Sequence, residues 1–205
     1  MIDVTRADGL LTIRLNRPDK ANSLTAELLT HLRDTLRGAE APRAVIVTGA
    51  GDKVFSAGAD LDEARAGLAT SPLWEEVSGA IASLPCLTIA ALNGTLAGGA
   101  FGMALACDLR LAVPNASFFY PVARLGFLPQ PSDPHRLRAL IGPARTKLLL
   151  LAGARFSADE ALQFGLIDRI CAPEALMAES SLMCSYALEG KQDVLHQIKT
   201  MSNGT

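Results

Sequence analysis

Aromatic side chains make up only 5% of the 205 residues while hydrophobic residues reach 49%, so the core has to be built from Ala, Leu, Val and Ile. An excess of positive charge is missing too. The net charge is -2 and the Lys and Arg residues are scattered, which speaks against nucleic-acid binding and against a membrane surface. No apolar run is long enough to span a bilayer. The first ten residues, polar and mixed, hold nothing like a secretory core segment. Cys86, Cys107, Cys171 and Cys184 show neither C-x-x-C nor C-x-x-H spacing, which disfavours both a zinc site and a disulfide framework. These absences describe a reduced, cytoplasmic, soluble chain of one domain with room for a sizeable core.

What is present is an alternation of strands and helices. IDVTR (2–6) and LLTIRLN (10–16) pair as a hairpin around Asp8-Gly9. TAELLTHLRDTLRGAE (25–40) sets Leu28, Leu32 and Leu36 on one helical face. RAVIVTG (43–49), CLTIAALNG (86–94) and DLRLAV (108–113) read as strands buried on both faces, with ASFFYP as a short one. SPLWEEVSGAIASL (71–84) and GGAFGMALAC (98–107) read as helices. HRLRALIG and ARTKLLLLAG form two more, split by Gly142-Pro143. Ser157 and Glu160 form a capping box for a helix that stops at Gly165, followed by the short strand LIDRI. A last helix starts near Pro173, and the final SNGT is expected to fray. Twice a buried strand is followed by a Gly turn, a short segment and a small-residue entry to a helix. This favours a coiled βα repeat over a doubly wound sheet.

The small-residue junctions carry the chemistry. NGTLAGGAFGMALACDL (93–109) has no charged side chain before Asp108. AGGAFG fails the dinucleotide pattern because Ala97 stands where its first glycine belongs, and GAGDKV is not a phosphate loop. Ser56 is no nucleophile elbow, since Val54 replaces the required glycine. His31 reads as a surface residue and His196 lies near a mobile end; His135 is the one histidine that could face a pocket, though a surface or helix N-terminal role is the favoured reading for it. In SAGAD (56–60) and AGGAF (97–101), however, backbone N–H groups at a helix entry are free of intrahelical acceptors. Two that converge form an oxyanion hole; packing glycines are the alternative.

LNRPDKANSL (15–24), AVIVTGAGDKVFSAGADLDE (44–63), IAALNGTLAGGAFGMALACDLRLA (89–112) and ARFSADEALQFGLIDRI (154–170) together resemble the crotonase (enoyl-CoA hydratase/isomerase) superfamily, in its order. The resemblance implies an α/β fold, a spiral of ββα repeats over residues 1–172. A shortened C-terminal helical segment would follow over 173–205, since relatives continue into further helices that close the site. It implies an acyl-CoA ligand, no cofactor beyond the coenzyme A thioester, and trimers or hexamers. By position, Ala59 and Gly99 supply the oxyanion-hole N–H groups. Lys20, Ala21, Ala57, Gly58 and Leu61 line the coenzyme A channel with Asp60, which braces its loop. Trp74 is a packing residue or an acyl-pocket wall.

Departures from the pattern shape the expected reaction. The two hydratase glutamates fall on Gly102 and Val122, so neither carboxylate is present. The segment that usually reads G-x-x-P-G-x-G-G is GFLPQPSDPHRL, with Pro131 and Pro134 replacing flexible glycines. An oxyanion hole alone still stabilises a thioester enolate. Decarboxylation of a β-carboxy-acyl thioester makes that enolate without a base. It needs only a proton donor, for which Tyr120, Asp133 and His135 are candidates. The alternatives are a non-catalytic acyl-CoA-binding protein, or a hydratase, isomerase or hydrolase in which Asp133 or His135 replaces the lost base from the opposite wall.

Overall fold

Residues 1–38 and 41–204 are described by a computed structural model. Residues 39–40 of the expected 25–40 helix and the last residue of the expected frayed end lie outside them. In chain order the strands are β1 (Ile2–Ala7), β2 (Leu10–Leu15), β3 (Ala44–Gly49), β4 (Val54–Ser56), β5 (Leu87–Leu92), β6 (Thr95–Ala97), β7 (Leu109–Ala112), β8 (Ser117–Phe119), β9 (Phe156–Ser157) and β10 (Arg169–Ile170). The helices are α1 (Ala26–Leu36), α2 (Leu61–Arg65), α3 (Leu73–Ala82), α4 (Phe101–Ala106), α5 (Val122–Leu125), α6 (Asp133–Leu150), α7 (Ala158–Phe164), α8 (Leu176–Glu189) and α9 (Gln192–Ser202).

Two sheets share the strands. One runs β1-β2-β3-β5-β7-β10, antiparallel at the β1–β2 hairpin and parallel thereafter. The other runs β4-β6-β8-β9, parallel except at β8–β9. Each of β3, β5 and β7 is followed by a strand of the smaller sheet and then by helix. The chain therefore winds as the expected spiral of ββα repeats. β3 is buried along its whole length, as its β-branched run predicts, and packs between β2 and β5. Burying each such Val or Ile contributes about 1.5–3 kcal/mol.

Local signals are realised with adjustments. Thr25 caps α1 by accepting from the Leu28 N–H at 3.2 Å. The buried stripe of α1 is Leu29, Leu32 and Leu36, so the expected stripe begins one residue late. Leu28 sits about 100° round the helix from Leu29 and is only half-buried. The Ser157–Glu160 capping box and the left-handed stop at Gly165 are both present. α6 breaks at Gly142, at φ 74° and ψ 169°, ahead of Pro143. All four cysteines are free and buried. The helix after Pro173 is not the last, because α9 follows it. Lys199 of α9 donates to the Cys86 carbonyl and to Asp108 Oδ2, each at 2.8 Å. Among the described residues no helix is long and apolar enough to cross a membrane.

Candidate functional site

The segment before α1 and the segment after β4 run side by side. Asn22, buried and at φ 49°, accepts from the Arg17 N–H at 2.9 Å. It donates to the Ala50 and Val54 carbonyls at 2.9 and 2.8 Å. With that turn fixed, Ala57 N–H donates to Ala21 O at 3.0 Å, Leu24 N–H to Gly58 O at 2.8 Å, and Asp60 N–H to Leu24 O at 2.8 Å. Leu24 and Ala59 thus form a single parallel bridge. Because Leu24 takes up the groups flanking Ala59, the Ala59 N–H points away from it.

The second junction meets the first on that far side. β6 pairs with β4, and the 98–100 turn leads from β6 into α4. Gly99 lies in the first turn, where N–H groups have no intrahelical acceptor. Gly58, at φ 88°, lies flat against it. A Cβ there would come within 3.0 Å of Ala97 O and 3.2 Å of Gly99 N. Glycine at 58 is required twice over, by conformation and by space. Trp74 closes the other side: a Cβ on Gly99 would lie 3.2 Å from the indole ring, whose Nε1–H donates to Leu68 O at 2.8 Å.

The flanking residues expected to line a channel are at the surface. Lys20 and Ala57 are exposed, Leu61 is 74% exposed, and Ala21 is half-buried. Asp60 does brace its loop. It pairs with Arg17 Nη1 at 2.8 Å and caps α2 by accepting from Asp62 N–H at 3.2 Å. The Arg17 hydrogen bond holds its carboxyl below the usual carboxylate range.

The three candidate proton donors separate. Tyr120 and Asp133 are buried together, with Tyr120 O–H donating to Asp133 Oδ2 at 2.8 Å. The Tyr120 ring stacks on Phe101 of α4 at 5.2 Å. Burial, with Asp133 beside it, pushes the Tyr120 hydroxyl above its ordinary value. Burial likewise raises Asp133 to about 7, against the opposing Tyr120 bond and Arg136 charge. His135 instead is exposed and lines a groove of about 850 Å³ with Leu105, Ala106, Leu140, Tyr186 and Ile198. Neither Ala59 nor Gly99 lines that groove. Positions 102 and 122 are empty of carboxylate: Gly102 is buried in α4, and Val122 opens α5 half-buried against the core.

Two further contacts were silent in the sequence. Ser132 N–H and Oγ–H both donate to Glu75 Oε1, at 3.0 and 2.9 Å. A Cβ on Gly102 would lie 3.2 Å from Asp133 Oδ1 and 3.6 Å from Ser78 Cβ. Trp74 and Ser78, one turn apart on α3, therefore cover Gly99 and Gly102 respectively.

Comparison with known proteins places this arrangement. The model of the family "Enoyl-CoA hydratase/isomerase" matches residues 5–205. The carnitinyl-CoA dehydratase of Citrobacter koseri is 38% identical over 182 residues, covering 84% of this chain and 69% of that protein. The crotonyl-CoA hydratase of Syntrophomonas wolfei is 32% identical over 210 residues, covering 98% and 81%. The crystal structure of the enoyl-CoA hydratase from Bacillus anthracis is similar with a TM-score of 0.91 at 35% identity, covering 99% of this chain and 83% of that one. With the spiral, both junctions and a match along nearly its whole length, the chain belongs to the enoyl-CoA hydratase/isomerase family of the crotonase superfamily.

Proposed function

We propose that the protein binds an acyl-CoA thioester with its carbonyl oxygen between the Ala59 and Gly99 N–H groups. It would stabilise the enolate in a reaction other than hydration, decarboxylation of a β-carboxy-acyl thioester being the best fit. The observation that carries this reading is the close approach of the two junctions, with the Ala59 N–H turned away from Leu24 and Gly58 pressed against Gly99 N. Two such donors favour an oxygen that gains negative charge. Losing one typically costs about 10²–10³ in rate. Hydration additionally needs a water held and deprotonated, and positions 102 and 122 offer Gly and Val for that task. Decarboxylation moves the electrons of the breaking C–C bond into the thioester and asks for no base.

The exposed segments at Lys20–Ala21 and Ala57–Leu61 would carry the coenzyme A moiety, and the reading asks for no cofactor beyond that thioester. Trimeric or hexameric assembly belongs to it, and the exposed Leu182 and Tyr186 of α8 offer an apolar contact for it. The test is a substrate panel. CO2 release from malonyl- or methylmalonyl-CoA, with no loss of enoyl absorbance from crotonyl-CoA, is the expected result. Robust hydration of crotonyl-CoA overturns it, and tight acyl-CoA binding without any product replaces it with a non-catalytic binding protein.

A further inference from the structure

We propose that Asp133 is the acid of this site: its Oδ1 delivers a proton to the α-carbon of the bound enolate from the space over Gly102, and Tyr120 positions it. The proposal rests on the enolate reading above and names the group that completes it.

A side chain at 102 would put its Cβ 3.2 Å from Asp133 Oδ1 and 3.7 Å from Oδ2. The Asp133 carboxyl therefore lies against the position a side chain at 102 would take, although it comes from α6 and Gly102 from α4. Gly102 lies three residues past Gly99, one turn further along. An acyl carbonyl held at Gly99 N would present its α-carbon towards this carboxyl.

The hydrogen bonding sorts the two oxygens. Oδ2 accepts from Tyr120 O–H at 2.8 Å. Oδ1 is buried and has no hydrogen-bond partner among the described residues. That leaves Oδ1, the oxygen nearer Gly102, free to carry the proton of the neutral acid. A carboxyl kept for structure alone would have both oxygens satisfied, because a buried unpaired polar atom lowers stability. Tyr120 cannot take the role itself, since its O–H is engaged and its pKa is raised.

The surroundings hold Asp133 near neutrality. Burial raises it to about 7, with Glu75 of α3 adding to the rise. Tyr120 and Arg136 oppose it, and Gly102 and Phe101 of α4 bring no charge. Both the acid and its carboxylate are therefore populated around pH 7, as a group that must give and regain a proton requires. In the step itself, the bond from the α-carbon to the leaving carboxyl breaks and its electron pair enters the enolate. CO2 departs, the Asp133 O–H bond breaks as the new C–H bond forms, and the carboxylate left behind regains a proton from water. Asp133 has no solvent-exposed surface in the unliganded chain, so the acyl group reaches it by parting the Trp74–Gly99 contact.

The probe is butyryl-CoA in D2O. By microscopic reversibility the group that protonates the enolate also removes an α-proton, so wild type exchanges α-hydrogen for deuterium, followed by mass spectrometry. Trp74, the single tryptophan, changes its fluorescence on binding. The Asp133→Asn variant binds with a Kd within about threefold of wild type but exchanges roughly 10²-fold or more slowly. Tyr120→Phe removes the bond that favours the charged form and moves the pH limb of exchange upward. Wild-type exchange in Asp133→Asn overturns the proposal while leaving the enolate reading intact. Should that variant not fold, an unshifted limb in Tyr120→Phe overturns it, as does binding that leaves Trp74 unchanged. Wild type that does not bind butyryl-CoA removes the enolate reading and the proposal with it.

Discussion

Gly58→Ala is the sharpest perturbation of the two-junction arrangement. Gly58 sits at φ 88°, where a Cβ costs about 1–2 kcal/mol. The added carbon would lie 3.0 Å from Ala97 O, 3.2 Å from Gly99 N and 3.3 Å from Gly98 Cα, all backbone atoms that cannot swing aside. Overpacking of this kind adds about 1–3 kcal/mol. The sum is about 3 kcal/mol, or a Tm lower by about 6–12 °C for a chain of this size. The second effect is functional. Relief of the clash shifts Gly99 N, so on the proposed reading turnover of a decarboxylating or exchanging substrate should fall by about 10²-fold. Gly153→Ala separates the two effects, because Gly153 has φ 67° and nothing within 4 Å of a new Cβ. It should lose about 1–2 kcal/mol from backbone strain alone and keep wild-type turnover. Calorimetry and α-hydrogen exchange on both variants decide the matter. A folded Gly58→Ala protein with undiminished exchange would refute the reasoning.

Other outcomes follow from the same contacts. Asp133 rises from 3.8 to about 7 on folding, so the folded chain binds this proton more tightly than the unfolded one. Its stabilising share is complete below pH 4 and is lost as pH rises to about 7, a change of roughly 4 kcal/mol. Urea unfolding of Asp133→Asn between pH 5 and 8 should show a flatter profile and higher stability than wild type at pH 8. Asn22→Ala removes a donor from the part-buried Ala50 and Val54 carbonyls and the acceptor of the Arg17 N–H. It should cost about 3 kcal/mol or more, seen in the unfolding midpoint. Gly102→Glu puts its Cβ a tight 3.2 Å from Asp133 Oδ1. That single change should lower Tm and yield no hydration of crotonyl-CoA, whereas pairing it with Asp133→Gly restores the room and the fold.

Much of this arrangement was legible because it depends on local chemistry. β3 is recognisable from its β-branched run, α7 from its capping box, and the break in α6 from Gly142-Pro143. That positions 102 and 122 hold Gly and Val is read directly from the sequence, and that a hydratase would carry carboxylates there is what the family resemblance implies. The approach of Asp133 to Gly102 is not legible in this way, because it depends on how α6 docks on α4 across the fold. Counting from Gly126 and Pro129, the glycines of the G-x-x-P-G-x-G-G pattern fall on Gln130, Ser132 and Asp133 rather than on the prolines. The residue that fills the space over Gly102 thus sits at a position where the pattern has none to offer. His135, the other candidate base, lies two residues further along the helix, which turns its side chain by about 200° and delivers it to a different groove. α9 is near-neutral in overall hydropathy, so its signal lies in periodicity alone, in the apolar stripe of Val194, Leu195, Ile198 and Met201.

The pairing of β4 with β6 sets a length as well as a sheet. Neighbouring strands in a ladder lie about 4.8 Å apart, and each junction leaves its strand within a few residues of that ladder. On the proposed reading, two N–H groups kept near that spacing would both reach one oxygen placed between them, since each hydrogen bond spans about 2.9 Å. The gauge is therefore made by main-chain hydrogen bonding, which most side-chain substitutions leave untouched. On that same reading, side chains on α4, α5 and α6 can change while the main-chain spacing that would hold a thioester oxygen stays the same. A fold built this way can change its chemistry one side chain at a time without ever rebuilding its anion site.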